Sequence, residues 1–260
     1  MKILQLSDIH VNGGGKFACR AADSLGDLRA VVDYILQVEL QPDVTVVTGD
    51  VSTDGKGDAY RLVRRELERL NCPVWVLPGN HDVKAPMKAA FGDGCHTADD
   101  APGLCIDTPG ARLLLLDSAR EGQIAGELSR AQLDWIADRL DVPQDHPVML
   151  WMHHFPFRSG IVGMDRPLAG EEELLALLQG RNAYVCSGHL HAGVVRRAGT
   201  VTMMTAPAVS MLMELRLESV RFYEGNVGFA LHLVEDGVVT THLCAAPSPR
   251  AATGPHDFGE

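Results

Sequence analysis

Five times along this chain, a short apolar run that reads as a buried strand is followed at once by a cluster of ligand-type polar residues. The clusters are Asp8-Ile9-His10, Gly49-Asp50, Gly79-Asn80-His81-Asp82, His153-His154 and Gly188-His189-Leu190-His191. In α/β sheets ligands gather outside the carboxyl ends of strands, so residues far apart in sequence converge there. A fold that satisfies the pattern must bring five strand ends together. Six of the eleven histidines (10, 81, 153, 154, 189 and 191) lie in these clusters, and His146 lies near one. The glycines before Asp50, Asn80 and His189 are expected to permit sharp turns that aim each side chain off its strand.

The segments between the clusters agree with such a fold. Residues 3–7, 44–48, 74–77, 113–116, 148–152 and 184–187 read as strands, and 27–39, 59–70, 129–140 and 171–179 carry helical spacing. Ser129 with Gln132 resembles a capping box, and Pro42 and Pro73 stand where helices must already have ended. The alternation predicts an α/β layered architecture with helices packed on sheet. Beyond residue 194 the runs 194–197, 200–205, 228–234 and 238–243 read as a strand meander with a hairpin turn at Asp236-Gly237. Residues 1–245 are expected to form one domain and 246–260 a flexible tail. Within 206–226, Met211, Leu212, Met213, Leu215 and Leu217 read as core, with a flap or an oligomer contact as the alternative.

Composition narrows the partners. The 260 residues carry a formal charge of -11, which repels nucleic acid and anionic lipid, so neither a nucleic-acid polymer nor a membrane is an expected partner. No apolar stretch is long enough to span a bilayer, and the N-terminus lacks the features of a secretory signal. The six cysteines (19, 72, 95, 105, 186 and 244) form no CxxC pair and read as reduced thiols, with the cytoplasm as the expected compartment.

Oxygen and nitrogen donors in the clusters are Asp8, His10, Asp50, Asn80, His153, His189 and His191. Seven protein ligands exceed the needs of one open catalytic ion and suit two ions that share a carboxylate, about 3.5–4 Å apart. Mixed nitrogen and oxygen donors without cysteine favour Mn, Fe, Co or Zn over Ca or Mg.

The ordered set D-x-H, G-D, G-N-H-[D/E], H and G-H-x-H resembles the calcineurin-like metallophosphoesterase superfamily. It looks most like bacterial class III cyclic nucleotide phosphodiesterases and their glycerophosphodiesterase relatives. Further support comes from Leu6-Ser7-Asp8-Ile9-His10, Val47-Thr48-Gly49-Asp50-Val51, Asn71 through Asp82, Leu116-Asp117-Ser118-Ala119-Arg120 and Leu128 through Leu140. One departure is His153-His154-Phe155-Pro156, where relatives usually carry two prolines after the paired histidines. The resemblance implies a four-layer α/β/β/α metallophosphoesterase sandwich. It implies that Asp8, His10 and His191 hold one ion, that Asn80, His153 and His189 hold the other, and that Asp50 bridges them. By analogy the first of the paired histidines is the ligand and His154 a support.

On this reading, a hydroxide bridging two cations attacks phosphorus, and His81 contacts the phosphate and assists the leaving oxygen, an effect worth about 10²–10⁴-fold. Catalysis is thus expected from His81 and Asp50, whereas Asp82 is expected to be structural. Arg120 and Arg158 read as surface residues. The expected function is a binuclear-metal phosphodiesterase acting on small diesters, either cyclic nucleotides or glycerophosphodiesters. A phosphomonoesterase is the nearest alternative, and a non-catalytic metal-binding scaffold a more distant one. Homo-oligomerisation through the Met-rich 203–217 region is a further candidate.

Overall fold

The structure, a computed structural model, describes residues 1–13, 23–143, 145–161, 163–166, 168–214, 221–248 and 251–257. The chain begins β1 (Lys2–Leu6), α1 (Ser24–Gln37), β2 (Val44–Thr48), α2 (Gly57–Leu67), β3 (Val74–Leu77), α3 (Lys84–Phe91). It continues β4 (Leu104–Asp107), β5 (Arg112–Leu115), α4 (Arg130–Asp141), β6 (Val148–Trp151), α5 (Glu171–Leu178), β7 (Ala183–Ser187), β8 (Val194–Ala198) and β9 (Val201–Thr205). It ends with β10 (Met211–Met213), β11 (Arg221–Glu224), β12 (Val227–Glu235), β13 (Val238–Ala246) and β14 (Thr253–Asp257).

β1 shows why two sheets are needed. Leu4 and Leu6 pack among helix residues such as Val31 and Val63, whereas Ile3 packs with Leu113, Met149 and Trp151 of the opposite sheet. A strand buried on both faces reads as a continuous apolar run, as the parallel strands here do. One sheet has the order β13-β12-β1-β2-β3 and the other β4-β5-β6-β7-β9-β8. The first is covered by α1, α2 and α3, the second by α4 and α5. A third core of Ile3, Val46, Leu77, Leu113, Trp151 and Met204 lies between the sheets, which gives the four-layer α/β/β/α sandwich.

β1, β2 and β3 run parallel in one sheet, and β5, β6, β7 and β9 run parallel in the other. The five polar clusters follow the C-terminal ends of β1, β2, β3, β6 and β7, three from one sheet and two from the other. Between the sheets, Gln5 Nε2 donates to Thr48 Oγ1 and to the Ser187 carbonyl, both at 3.0 Å, and Gln5 Oε1 lies 3.1 Å from Nε2 of buried His232. This polar bridge fixes the relative height of β1, β2 and β7 just below the clusters.

The capping box forms at Ser129 and Gln132 as expected. The region after residue 194 is not one meander. β8 and β9 pair in the second sheet, whereas β12 and β13 form a hairpin in the first, so the chain crosses between sheets. Thr253–Asp257, expected within a flexible tail, pairs with β11 as β14. Within 206–226, Met211 and Met213 are buried core residues, while residues 215–220, including Leu215 and Leu217, lie outside the described set.

Candidate metal centre

Three of the five ligand loops, those after β1, β2 and β7, leave their strands by a reversal in backbone hand. Asp8 and His10 have φ of 54°, Asp50 of 50°, His189 of 68° and His191 of 56°. These five are among nine non-glycine residues with positive φ in the described chain. Left-handed backbone costs a residue with a Cβ about 1–3 kcal/mol and persists only where surrounding contacts over-determine it. Asp and His tolerate it better than branched residues. The Asp-x-His and His-x-His spacings thus alternate left-handed and ordinary residues, which aims both outer side chains to the same side.

The glycines play a different part from the one expected. Gly49 alone of the three takes a positive φ, 90°. Gly79 and Gly188 are required for close approach: a Cβ on Gly79 would overlap Asp50, and one on Gly188 would overlap the Ser7 hydroxyl and lie 2.9 Å from Asp8 Oδ2. The segment after β9 clamps two loops from above. Ser210 Oγ donates to the Asp8 carbonyl at 2.8 Å, and the Met213 amide donates to the His191 carbonyl at 2.9 Å.

The side chains converge as two adjacent groups. Asp8, His10, Asp50 and His191 form one, with ligand atoms within 4.8 Å of one another. Within it, His10 Nε2 and His191 Nε2 are 3.2 Å apart, and His191 Nε2 is 3.3 Å from Asp8 Oδ1. In the second group, His153 Nε2 is 3.2 Å from His189 Nδ1 and 3.1 Å from Asn80 Oδ1. Asp50 Oδ2 stands 3.6 Å from His10 Nε2 and 3.4 Å from His153 Nε2, so one carboxylate faces both groups. Its other oxygen accepts the His81 amide at 2.9 Å.

Backbone carbonyls choose which imidazole nitrogen points inward. His153 Nδ1 donates to the Thr48 carbonyl at 2.7 Å and His191 Nδ1 to that of Met211 at 3.3 Å. Each bond leaves the Nε2 lone pair free to coordinate, the arrangement by which proteins orient histidine ligands.

The paired histidines differ in their partners. His154 lies within reach of the second group, yet Nδ1 sits 2.9 Å from the Ser118 hydroxyl and Nε2 donates to the Ile124 carbonyl at 3.0 Å. Both nitrogens of His154 are thus engaged, and its ring lies 4.9 Å from those of His153 and His189. Burial, aided by the nearby His153, lowers its pKa to about 3, so the ring is neutral.

The charge pattern follows from burial and proximity. Burial would raise the Asp50 pKa, but the imidazoles of His153 and His10 outweigh it and hold the carboxyl well below its ordinary value. Burial likewise disfavours a charged His153, yet Asp50 and then Asp8 raise its pKa to about 9. A proton therefore sits between His153 and Asp50 where positive charge is wanted. Buried carboxylates and imidazoles whose lone pairs converge on two points, with a shared carboxylate between, fit two divalent ions. The donor set lacks thiolate, as expected of Mn, Fe, Co or Zn sites.

Asp82 does not orient a histidine. Its carboxylate accepts the amides of Gly79 and Ser52 at 2.9 Å and of Val51 at 3.1 Å, which ties the Asn80 loop to the Asp50 loop. Burial, reinforced by the Asp50 charge, raises its pKa to about 6. His81 is exposed, its ring edge-on to that of His10 at 5.1 Å. It lines a cavity of about 560 Å³ together with Asp50, Asn80, His189 and His191. Arg120 pairs with Glu127 at 2.6 Å and, like Arg158, is absent from the lining.

The remaining cavity lining escaped the sequence reading in part. Gly122, Gln123 and Ile124 come from the loop after β5, and Gly163, Met164 and Arg166 from the loop after β6. Nothing in the sequence singles out Ile124 or the Ser118 hydroxyl. The five described cysteines form no disulfide, and among the described residues no helix is long and apolar enough to cross a membrane.

Comparison with known proteins agrees with this geometry. A family profile described as calcineurin-like phosphoesterase matches residues 1–193. A probable glycerophosphodiester phosphodiesterase of Arcobacter nitrofigilis is 30% identical over 93% of this chain and 92% of its own. A 3',5'-cyclic adenosine monophosphate phosphodiesterase of Pseudomonas aeruginosa is 28% identical over 90% of this chain and 82% of its own. Among solved structures, a dimetal phosphatase from Danio rerio superposes with a TM-score of 0.64 at 17% identity, covering 93% of this chain and 98% of that one, which speaks to the fold alone.

Proposed function

This chain belongs to the calcineurin-like phosphoesterase family, and from that premise we propose that it hydrolyses small phosphodiesters at a two-metal centre. The observation that carries the reading is Asp50, whose carboxylate faces both donor groups at the floor of an open cavity. Relatives named as glycerophosphodiester and cyclic nucleotide phosphodiesterases support the diester over the monoester.

We assign one ion to Asp8, His10, Asp50 and His191, and the other to Asp50, Asn80, His153 and His189. Bound there, two transition-metal ions supply an activated water and neutralise charge on the phosphate oxygens. The remaining work falls to the chain. The Thr48 and Met211 carbonyls hold His153 and His191 with Nε2 inward. Asp82 keeps Asn80 and Asp50 in register by binding both loops. His81, exposed at the cavity and joined through its amide to Asp50, is placed to give a proton to the departing alkoxide. A cytoplasmic setting, where the thiols stay reduced, completes the proposal.

The test is turnover by the Mn²⁺-loaded chain on bis(p-nitrophenyl) phosphate beside p-nitrophenyl phosphate, with metal content measured in parallel. Preference for the diester supports the reading. Preference for the monoester makes the chain a phosphatase, and two bound metals with no turnover of either ester overturns the proposal.

A further inference from the structure

The cavity is unlike in its parts. The metal-ligand side is polar, whereas the loops after β5 and β6 contribute Ile124, Met164 and Arg166. Ile124 is 58% exposed, an unusual position for a large aliphatic side chain beside a cluster of buried carboxylates and imidazoles. Scattered surface apolar residues need no explanation, but one that lines a cavity next to a polar centre matches an amphipathic ligand. A volume of about 560 Å³ exceeds the needs of a phosphate and admits a second substituent of substantial size.

Both loops are fixed relative to the ligands. The Ile124 carbonyl accepts His154 Nε2 at 3.0 Å, which links this wall to the residue following ligand His153. Glu121 accepts the Lys84 amide at 3.2 Å, and buried Asp117, in the same segment, pairs with Lys84 Nζ at 2.8 Å. In the other loop the Asp165 carboxylate accepts the Ser159 amide at 2.7 Å, the Ser159 hydroxyl at 2.6 Å and the Gly160 amide at 2.9 Å. These bonds hold Met164 and Arg166 at the cavity without help from substrate.

We propose that Ile124, Met164 and Arg166 select the organic substituent of the diester, accepting a flat, acceptor-rich nucleobase and disfavouring a cationic amino-alcohol. The inference rests on the phosphodiesterase reading and deepens it. Aliphatic side chains suit the face of a ring, and a guanidinium both stacks on such a ring and donates to its nitrogen and oxygen acceptors. No carboxylate pairs with Arg166 among the described residues, and none of the described lining residues is an aromatic ring other than histidine. A quaternary ammonium would therefore meet a like charge with no aromatic cage to hold it.

The test compares kcat/KM for adenosine 3′,5′-cyclic phosphate and glycerophosphocholine on the Mn²⁺-loaded full chain, Arg166→Glu and Ile124→Ser. The wild type is expected to favour the cyclic nucleotide at least tenfold. Arg166→Glu should reduce that ratio about tenfold, equivalent to about 1.4 kcal/mol, and do so in KM rather than kcat. Ile124→Ser should lower it in the same direction by a smaller factor. A wild type that favours glycerophosphocholine, or variants that leave the ratio unchanged, overturns the selection while bis(p-nitrophenyl) phosphate is still cleaved. If that diester is not cleaved either, the phosphodiesterase reading has failed and the inference falls with it.

Discussion

The cavity joins two regions built by different means. At the metal centre, the donors stand on loops tied directly to parallel strand ends, all buried but half-buried Asn80, and five of them hold left-handed backbone against its intrinsic cost. At the wall formed by Ile124, Met164 and Arg166, the side chains are partly or largely exposed and ordinary loop hydrogen bonds set their positions. Rigid placement is needed where charges must be held at fixed separation, and adaptable loops suffice where a substituent is chosen by shape and charge. The difference teaches that one region defines the chemistry and the other its selectivity, and that each can be altered without the other.

The sharpest way to break this separation is at Asp50, the carboxylate both donor groups share. Asp50→Ala is expected to lower bound metal below two equivalents and to reduce diester turnover at least about a thousandfold. Metal analysis and steady-state kinetics check both. An active variant with a full metal complement would show that the two groups do not depend on a common bridge.

Acidity should act on the metal centre alone. Although burial opposes it, Asp50 raises the His153 pKa to about 9, so a proton occupies the pair in the metal-free chain. A cation must displace that proton. Mn²⁺ affinity is therefore expected to rise about tenfold per pH unit from pH 6 toward 9 and to level off above it. The metal-free chain moves the opposite way. The raised His153 pKa contributes stability fully below about 6.5, which is lost as pH rises through about 9. Calorimetric metal titration and thermal unfolding of the metal-free chain measure the two trends, and a flat affinity across this window would remove the proton from the site.

How much of this was legible in the sequence follows the same division. The strand-end clusters could be read because ligand chemistry and apolar runs alternate in one dimension, and the paired strands leave little freedom in where those clusters meet. Asp8, His10, Asp50, Asn80, His153, His189 and His191 all come together. What the sequence hid depends on contacts between distant loops. His154 is set apart from His153 by the Ser118 hydroxyl and the Ile124 carbonyl, neither of which has a local signal. The glycines were read as turn formers, yet Gly188 is required by the side chain of Ser7, 181 residues away in sequence. β14 and the crossing of β12 into the first sheet are likewise set by strand pairing rather than by periodicity.

His154 touches both regions, so its loss should blur the distinction. His154→Asn is expected to weaken metal affinity about tenfold, in the range that supporting partners of ligands contribute, and to raise KM for larger diesters by releasing the Ile124 carbonyl. Ser118→Ala removes the partner of Nδ1 and the acceptor of the His154 amide, and should reproduce the first effect more weakly than the loss of the whole ring in His154→Asn. A His154→Asn variant with altered KM and unaltered metal affinity would mean that the ring serves the wall alone.

The smallest effect is expected at Asp165, which orders the loop after β6 through three hydrogen bonds and touches no metal ligand. Asp165→Ala leaves the Ser159 and Gly160 amides to water, so the cost is mostly in loop order, since both lie in an accessible segment. KM for adenosine 3′,5′-cyclic phosphate should increase about threefold, while Mn²⁺ affinity and the pH dependence of metal binding stay as in the wild type. The comparison is informative because the same loop follows ligand His153 in sequence. If loosening it changes metal affinity, the chain between Phe155 and Asp165 transmits strain to the ligand, and the wall is part of the metal centre. If only KM moves, the strand end insulates the ligand from the loop it precedes, which is how one centre can serve different diesters through changes confined to Ile124, Met164 and Arg166.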